Sequence, residues 1–263
     1  MYENSTESLH DYLVSDSPHY GKLMGSLSRL ATWHERQFIV SAFEGRPDPF
    51  ALLHKSFAYE LWSVRIEVAY NIKQKHKAPM FLFGGHGLLM CTGFALGCFE
   101  SVDRLGQLII SNVDRKWYVD IDNSGVAYFI LCLYCLWKEI TPPAKERFAF
   151  MPQCYKDLLS TWKDENFESL ECSLMQACDL HIQQSRYDTL KVRYDFNDTP
   201  YWVFPGEILG LLQLRKKLGL RIPELKHPLM QLQTAVLPNL EGVHYDELLE
   251  KVKTKSAQEL EIC

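Results

Sequence analysis

The sequence lacks several features that would place the chain in a broad functional class. It has no excess of basic residues, because the formal net charge is −5 at pH 7, which argues against a general nucleic-acid binder. It has no long hydrophobic run, since the longest, Val126 to Trp137, is too short to cross a bilayer. Its first residues lack the basic and apolar regions of a secretory signal. We therefore expect a soluble, cytoplasmic protein that binds neither nucleic acid nor membrane.

The sequence also lacks the short motifs of common enzymes. There is no GxGxxG, no GxxxxGK[ST] and no GxSxG. The GGHG stretch from Gly84 to Gly87 could hold an anion against its backbone, but a tight turn before a helix is the simpler interpretation. The prediction is a protein that is not an enzyme and uses no cofactor.

Cysteine, in contrast, is present at 8 scattered positions, and free buried thiols are a better interpretation than a disulfide framework. Cys132 and Cys135 form a CxxC, but no second ligand pair exists, so we predict two core thiols rather than half a zinc site. Cys178, Asp179 and His181 include metal-binding residue types on a predicted amphipathic helix. A helical, metal-dependent enzyme that uses these three residues remains the alternative function.

Hydrophobic periodicity predicts helices almost throughout the chain. The fold class is all-α, a multi-helix bundle of roughly eight to ten helices with at most short strands. Residues 115–121 and 190–196 alternate in polarity and are either short strands or extended connectors. We predict a polar N-terminal segment at 1–22, a single helical domain at 23–235, and a tail at 236–263 with a short helix.

Individual helices can be placed from apolar spacing and from their end signals. The predicted segments are Leu23 to Phe43, Pro49 to Gln74, Gly84 to Phe99, Glu100 to Val113, Asn123 to Lys138, Tyr155 to Trp162 and Phe167 to Ser185. A further helix start is expected at Thr141, with Pro142 in the first helical position.

The stretch from Tyr201 to Met230 has the clearest helix signals in the chain. Pro205 suits the first helical position, and Glu207 follows where an acid favours the helix N-terminus. Gly219 suits a left-handed residue after the helix. The predicted apolar stripe contains Ile208, Leu211, Leu212 and Leu218. We interpret this stretch as scaffold behind a binding face.

One stretch, residues 164–198, stands out by its charge. It contains 8 acidic residues against 3 basic ones, a local net charge of −5. The acids are Asp164, Glu165, Glu168, Glu171, Asp179, Asp188, Asp195 and Asp198, and the bases are Arg186, Lys191 and Arg193. The run is either a solvated helix face or an acidic docking surface for a basic partner.

The docking interpretation draws on neighbouring residues as well. Glu165, Glu168 and Glu171 recur at steps of three, which places them on one side of a helix. Aromatic residues of the kind that anchor interfaces flank the acids: Trp162, Phe167, Tyr187, Tyr194 and Tyr201. The predicted contact set consists of the eight acids together with Tyr194.

The organisation of the chain resembles the all-helical immunity proteins of bacterial polymorphic-toxin and type VI secretion systems, in particular the PoNe-immunity and immunity protein 49 families. Three places carry this resemblance, namely Phe50 to Tyr70, Leu88 to Ile109, and the series CYKDLLSTW, RYDFNDTPYWVFP and GLRIPELKHPLM between Cys154 and Met230. The resemblance covers residues Leu23 to Met230. It lies in the helical architecture and in the local sequence pattern. The HPLM exit departs from the PoNe-immunity pattern.

The resemblance implies a function without catalysis. Such a protein binds a cognate toxin tightly in the cytoplasm of the producing cell and blocks its active site or its substrate groove. The implied partner is a toxin with a basic surface, such as a nuclease effector. An acidic adaptor that acts as a homodimer is a further alternative.

Overall fold

A computed structural model describes residues 2–78, 80–119, 124–238 and 245–262, and within these ranges the protein is all-α. It has eleven α-helices, and every one except the four-residue α9 has nine residues or more. The only β-type pairings in the described ranges are isolated bridges, Phe81 with Tyr118 and Ser185 with Phe196. The fold-class prediction is confirmed, and the described parts of the two alternating segments are connectors.

Most helix bounds lie close to the predicted ones, but the segment predicted only as a polar N-terminus contains a helix, Tyr2–Val14. The helices are α1 (Tyr2–Val14), α2 (Tyr20–Phe43), α3 (Pro49–Lys73), α4 (Phe83–Ala95), α5 (Phe99–Asp114), α6 (Gly125–Trp137), α7 (Gln153–Thr161), α8 (Phe167–Gln184), α9 (Thr199–Trp202), α10 (Gly206–Lys217) and α11 (Glu247–Leu260). Short 3-10 helices lie at Lys145–Phe150 and Pro228–Gln231.

The chain divides into two compact units, one of residues 1–77 with 243–263 and one of residues 78–242. The prediction of a single domain over residues 23–235 stays a prediction. Among the described residues, no helix has the length and apolar character needed to cross a membrane.

The first unit packs α1, α2, α3 and α11 around a common core. Leu27 on α2, Trp62 on α3 and Val252 on α11 all lie in this core. Polar contacts add to it, because the Glu259 carboxylate accepts hydrogen bonds from the hydroxyl groups of Tyr12 at 2.7 Å and Tyr20 at 3.0 Å. The tail helix is therefore an integral part of this core.

The second unit is built around α4, which contacts α5, α6 and α10. Nearly the whole of α4 is buried. Its contact with α6 is close at Gly87, where a Cβ atom would lie 2.2 Å from the Cβ of Ala127. Gly87 is thus required by helix packing. The predicted turn at Gly84 to Gly87 is wrong, because these residues belong to the first turns of α4.

A second correction concerns the predicted helix start at Thr141 and Pro142. No α-helix begins there, and the next element is the 3-10 helix at Lys145–Phe150. Pro143 explains the difference, because a proline disfavours the helical conformation of the residue before it, here Pro142.

The scaffold helix α10 differs from its prediction in one respect. Its end is as expected, with Gly219 at φ +71° and the N–H of Leu220 bonded to the carbonyl of Arg215 at 3.0 Å. However, Pro205 precedes the helix rather than opening it. All residues from Gly206 to Arg215 are buried, so the helix has no solvent face opposite an apolar stripe, and the predicted one-sided pattern is wrong.

Candidate functional site

The nine residues predicted to contact a partner divide by exposure. Asp164, Glu165, Glu168 and Asp179 are exposed, whereas Glu171, Asp188, Tyr194, Asp195 and Asp198 are partly buried. Several of the partly buried acids bond to the protein itself, and Asp198, for example, accepts the backbone N–H of Thr199 at 2.8 Å. The sequence stretch is therefore not one uniform acidic surface.

The acidic end of α8 consists of Asp164, Glu165 and Glu168. The Asn166 side chain caps the helix by accepting the N–H of Glu168 at 3.2 Å, so Glu165 lies before the helix. The predicted row of three glutamates on one helix side is therefore wrong for Glu165. Neither Glu165 nor Glu168 forms an ion pair with any residue that the structure describes. Their negative charge is directed to solvent.

Asp179 lies further along α8 and contacts the 3-10 segment that follows α10. Its Oδ1 lies 3.2 Å from Nε2 of His227. The Nδ1 of His227 accepts the N–H of Leu229 at 3.2 Å. His227 thus caps the Pro228–Gln231 helix and donates to Asp179.

After α8 the chain forms a closed loop, residues 186–195, which we name the α8 loop. The bridge between Ser185 and Phe196 closes its base. The backbone N–H of Thr189 donates to the carbonyl of Val192 at 2.9 Å, and the N–H of Val192 donates to Oγ1 of Thr189 at 2.9 Å. These reciprocal bonds make residues 189–192 a tight turn.

Asp188 holds the two sides of the α8 loop together. Its carboxylate accepts hydrogen bonds from Arg193 at 2.7 Å, from the N–H of Tyr194 at 2.9 Å and from Asn197 at 3.1 Å. Desolvation opposes the charged form, but these donors outweigh it and lower the pKa of Asp188. Asp188 therefore supports the loop from inside.

The tip of the α8 loop exposes apolar side chains. Leu190 is fully exposed, Tyr187 is mostly exposed, and Val192 is about half exposed. Tyr187 stacks edge-on against Trp202 at 4.9 Å between ring centroids, which limits its motion. Sequence reasoning missed Leu190 and Val192, because their alternation with charged residues resembled a strand.

The flanking aromatic residues are mostly less exposed than predicted. Trp162 is buried, and Phe167, Tyr194 and Tyr201 are partly buried. Tyr187 is the only one of these five aromatic residues that is mostly exposed. The apolar part of the candidate surface therefore comes from the loop tip.

Asp195 lies at the base of the α8 loop and binds the N-terminus of α6. Its carboxylate accepts hydrogen bonds from the hydroxyl of Ser124 at 3.1 Å and from the N–H of Val126 at 3.3 Å. Burial raises the pKa of Asp195 to about 6, and the nearby Glu207 carboxyl acts in the same direction, against these hydrogen bonds. Asp195 therefore connects the base of the α8 loop to the N-terminus of α6.

A buried pair connects α8 with α10. His181 Nε2 lies 2.8 Å from the carbonyl oxygen of Tyr201 and must donate to it. His181 Nδ1 lies 2.9 Å from Oε1 of Glu207, and both side chains are completely buried. One proton must lie between these two atoms, so the pair is neutral overall whichever group holds it. This neutrality makes burial of both groups tolerable.

The same geometry bears on the alternative metal site. Both ring nitrogens of His181 are already bonded, and Asp179 is exposed and contacts His227. Cys178 is buried, and burial raises the pKa of its thiol to about 12. Within the described ranges, no group of three or more His, Cys, Asp or Glu side chains could hold a metal ion.

The CxxC pair is located in the core of the second unit. Cys132 and Cys135 are free thiols that are buried on α6, which agrees with their interpretation as core thiols. Burial raises the pKa of Cys132 to about 12 and that of Cys135 to about 11. The exposed Cys172 is an exception to the expectation of buried thiols.

Arg215, near the end of α10, is a buried cation that sequence reasoning missed. Its guanidinium donates to the backbone carbonyls of Trp162, Asp164 at 3.0 Å and Arg221 at 2.8 Å. Arg215 therefore fixes the segment that leads into the acidic end of α8. Its position beside Lys216 and Lys217 gave no sign of this role, since all three residues suit a helix C-terminus.

Comparisons with protein-family models, with curated proteins and with solved structures found no match to this chain.

Proposed function

We propose that this chain is an immunity protein that binds and neutralises a cognate toxin through the exposed face of α8 and the α8 loop. The supporting observation is that the exposed carboxylates of Glu165 and Glu168 at the start of α8 are followed, in the α8 loop, by the fully exposed side chain of Leu190. Exposed apolar groups beside charge are typical of protein interfaces, since they lose water on binding while the charges set orientation.

The acidic end of α8 would act mainly before contact is made. Glu165 and Glu168 are exposed and are not neutralised by an ion pair to a described residue. A basic surface on the toxin, such as the substrate groove of a nuclease, is attracted by this charge and associates faster. Effective inhibition at cellular concentrations requires nanomolar affinity or better, which corresponds to about 12 kcal/mol of binding free energy.

The buried titratable groups support a binding role rather than catalysis. His181 and Glu207 are fully buried and bonded to each other, and His181 also bonds to Tyr201. A general base must lie within reach of a substrate proton. This pair is instead placed to hold α8 against α10, which gives the proposed binding face a firm base.

The test is co-expression of this chain with the product of the gene directly upstream, with host survival and co-purification as readouts. Rescue of growth together with a stable complex supports the proposal. Toxicity that the chain cannot relieve, or an upstream product that is harmless and does not bind, would remove it. A chain with Leu174→Asp, which disrupts the buried side of α8, serves as the non-rescuing control.

A further inference from the structure

The α8 loop differs in character from the acidic end of α8. Its tip, which we define as Leu190, Lys191 and Val192, combines two exposed apolar side chains with an exposed cation. Arg186 and Arg193 are also exposed. The one acid within the outer part of the loop, Asp188, is already paired with Arg193. The outer loop therefore presents apolar and positive groups, although the whole stretch 164–198 is acidic.

We propose that the loop tip inserts into an apolar recess of the toxin whose rim carries carboxylates. This inference rests on the proposed function and specifies the partner's surface. Charge complementarity carries it, because the exposed Lys191 would meet those carboxylates while Leu190 fills the recess. The toxin then has two zones, a basic one facing the acidic end of α8 and an acidic-rimmed recess facing the loop.

The preorganisation of the loop favours an anchoring role. The turn at residues 189–192 is closed by backbone and Thr189 hydrogen bonds, and Asp188 braces the sides. A loop that is ordered before binding loses less conformational entropy on binding than a flexible one. An exposed leucine on such a turn is therefore suited to act as an interface anchor.

One interface is large enough to cover both ends of α8. The helix has 18 residues, which corresponds to a length of about 27 Å at a rise of about 1.5 Å per residue. A typical interface covers about 800 Å² on each partner, a patch roughly 30 Å across. Exposed α8 residues, including Cys172 and Gln176, lie between the two ends.

The first test measures association and dissociation rates of the upstream-gene toxin on the purified full chain. Leu190→Asp should raise Kd by about 100-fold, mainly through faster dissociation, because it places a charge in an apolar recess. Val14→Asp is the matched control, since Val14 is an exposed apolar residue of the first unit. Unchanged Kd for Leu190→Asp, with tight binding by the unchanged chain, would overturn the anchor and leave the proposed function standing.

Substitutions of Lys191 test whether the rim of the toxin's recess is negatively charged. Lys191→Glu should weaken binding by about tenfold, because the new carboxylate would repel the carboxylates of the rim. Lys191→Ala should have an intermediate effect. Tighter binding by Lys191→Glu would show a basic recess and overturn the proposal. Failure of the unchanged chain to bind at all would instead remove the proposed function, so the two failures are distinguishable.

Asp188 is a positioning residue, and a double-mutant cycle separates this role from direct contact. Asp188→Asn should weaken binding by about tenfold in the unchanged chain and by less than about twofold in the Leu190→Asp background, because it acts only through the tip. Equal effects in both backgrounds would contradict this role.

A second copy of this chain is the alternative binding partner of the loop tip. Sedimentation of the chain alone distinguishes it: a monomer at the concentrations of the binding test supports the toxin as occupant. A dimer that Leu190→Asp dissociates, with toxin binding unchanged, would overturn the proposal.

Discussion

Helices α8 and α10 show how differently two similar sequence patterns can be used. Both have apolar residues at steps of three and four. On α10 every residue from Gly206 to Arg215 is buried, while α8 keeps an exposed face that begins at Glu168. The difference arises from neighbours, because α10 packs against α4, α6 and α8. Periodicity thus identifies a helix but does not tell how many of its sides other elements cover.

Burial decides what the polar residues of each helix can do. On α10, Glu207 bonds to His181, Gln213 donates to the carbonyl of Pro238 at 3.3 Å, and Arg215 donates to backbone carbonyls. Each of these side chains has an internal partner, as burial favours, although Oε2 of Glu207 and Oε1 of Gln213 have no hydrogen-bond partner among the described residues. On α8, Glu168 remains exposed and is available to a partner.

The largest effect is expected at Arg215. Arg215→Met keeps similar volume but leaves the carbonyls of Trp162, Asp164 and Arg221 without their donor. We expect the free energy of unfolding to fall by about 3 kcal/mol. Lys217→Met, also near the end of α10 but exposed, should change it by less than about 0.5 kcal/mol. Urea denaturation of both variants checks this, and equal effects would contradict the distinction between buried and exposed charge.

An intermediate effect is expected from the pH dependence of Asp195. Its pKa is about 6 when folded and about 3.8 otherwise, so the folded state binds the proton more tightly. Its contribution to stability is complete below pH 3.8 and is lost as the pH rises through 6. Asp195→Asn removes this pH-dependent contribution to the free energy of unfolding.

The measurement is the free energy of unfolding of both chains from pH 4.5 to pH 7.5. Over this range the unchanged chain should lose about 2 kcal/mol relative to Asp195→Asn. Glu207 and Tyr155, which interact with Asp195, are present in both chains. Parallel pH curves would mean that Asp195 does not titrate in this range.

The smallest effect on stability is expected on the exposed face of α8. Glu168→Gln should change the free energy of unfolding by less than about 0.5 kcal/mol, since Glu168 is exposed and contributes only a weak interaction with the helix N-terminus. Association with a basic toxin should nevertheless slow. A stability loss comparable to that of Arg215→Met would contradict the distinction between the exposed charge of Glu168 on α8 and the buried charge of Arg215 on α10.

The sequence predicts much of the fold because local signals determine it. Steps of three and four place Leu53 and Phe57 on one buried face of α3, and Gly219 adopts the expected left-handed conformation after α10. The CxxC thiols and the capping role of His227 also follow from local chemistry. These features depend on residues close together in the chain.

The candidate site is less predictable because it depends on contacts distant in sequence. Asp195 and Asp188 were counted as surface acids, yet one binds the N-terminus of α6 and the other braces a loop. Arg215 reaches carbonyls more than fifty residues away, at Trp162 and Asp164. Leu190 is exposed within the turn that Thr189 closes, which an alternating pattern does not reveal.

The position of α11 has a consequence for synthesis on the ribosome. Leu249 and Val252 complete a core whose other helices lie between Tyr2 and Lys73, so about 170 residues must be translated in between. At about 5–20 residues per second this interval lasts roughly 10–35 seconds. During that time the surface of α1 and α3 that α11 later covers stays open to chaperones, while residues 78–242 emerge as a continuous segment that can fold first.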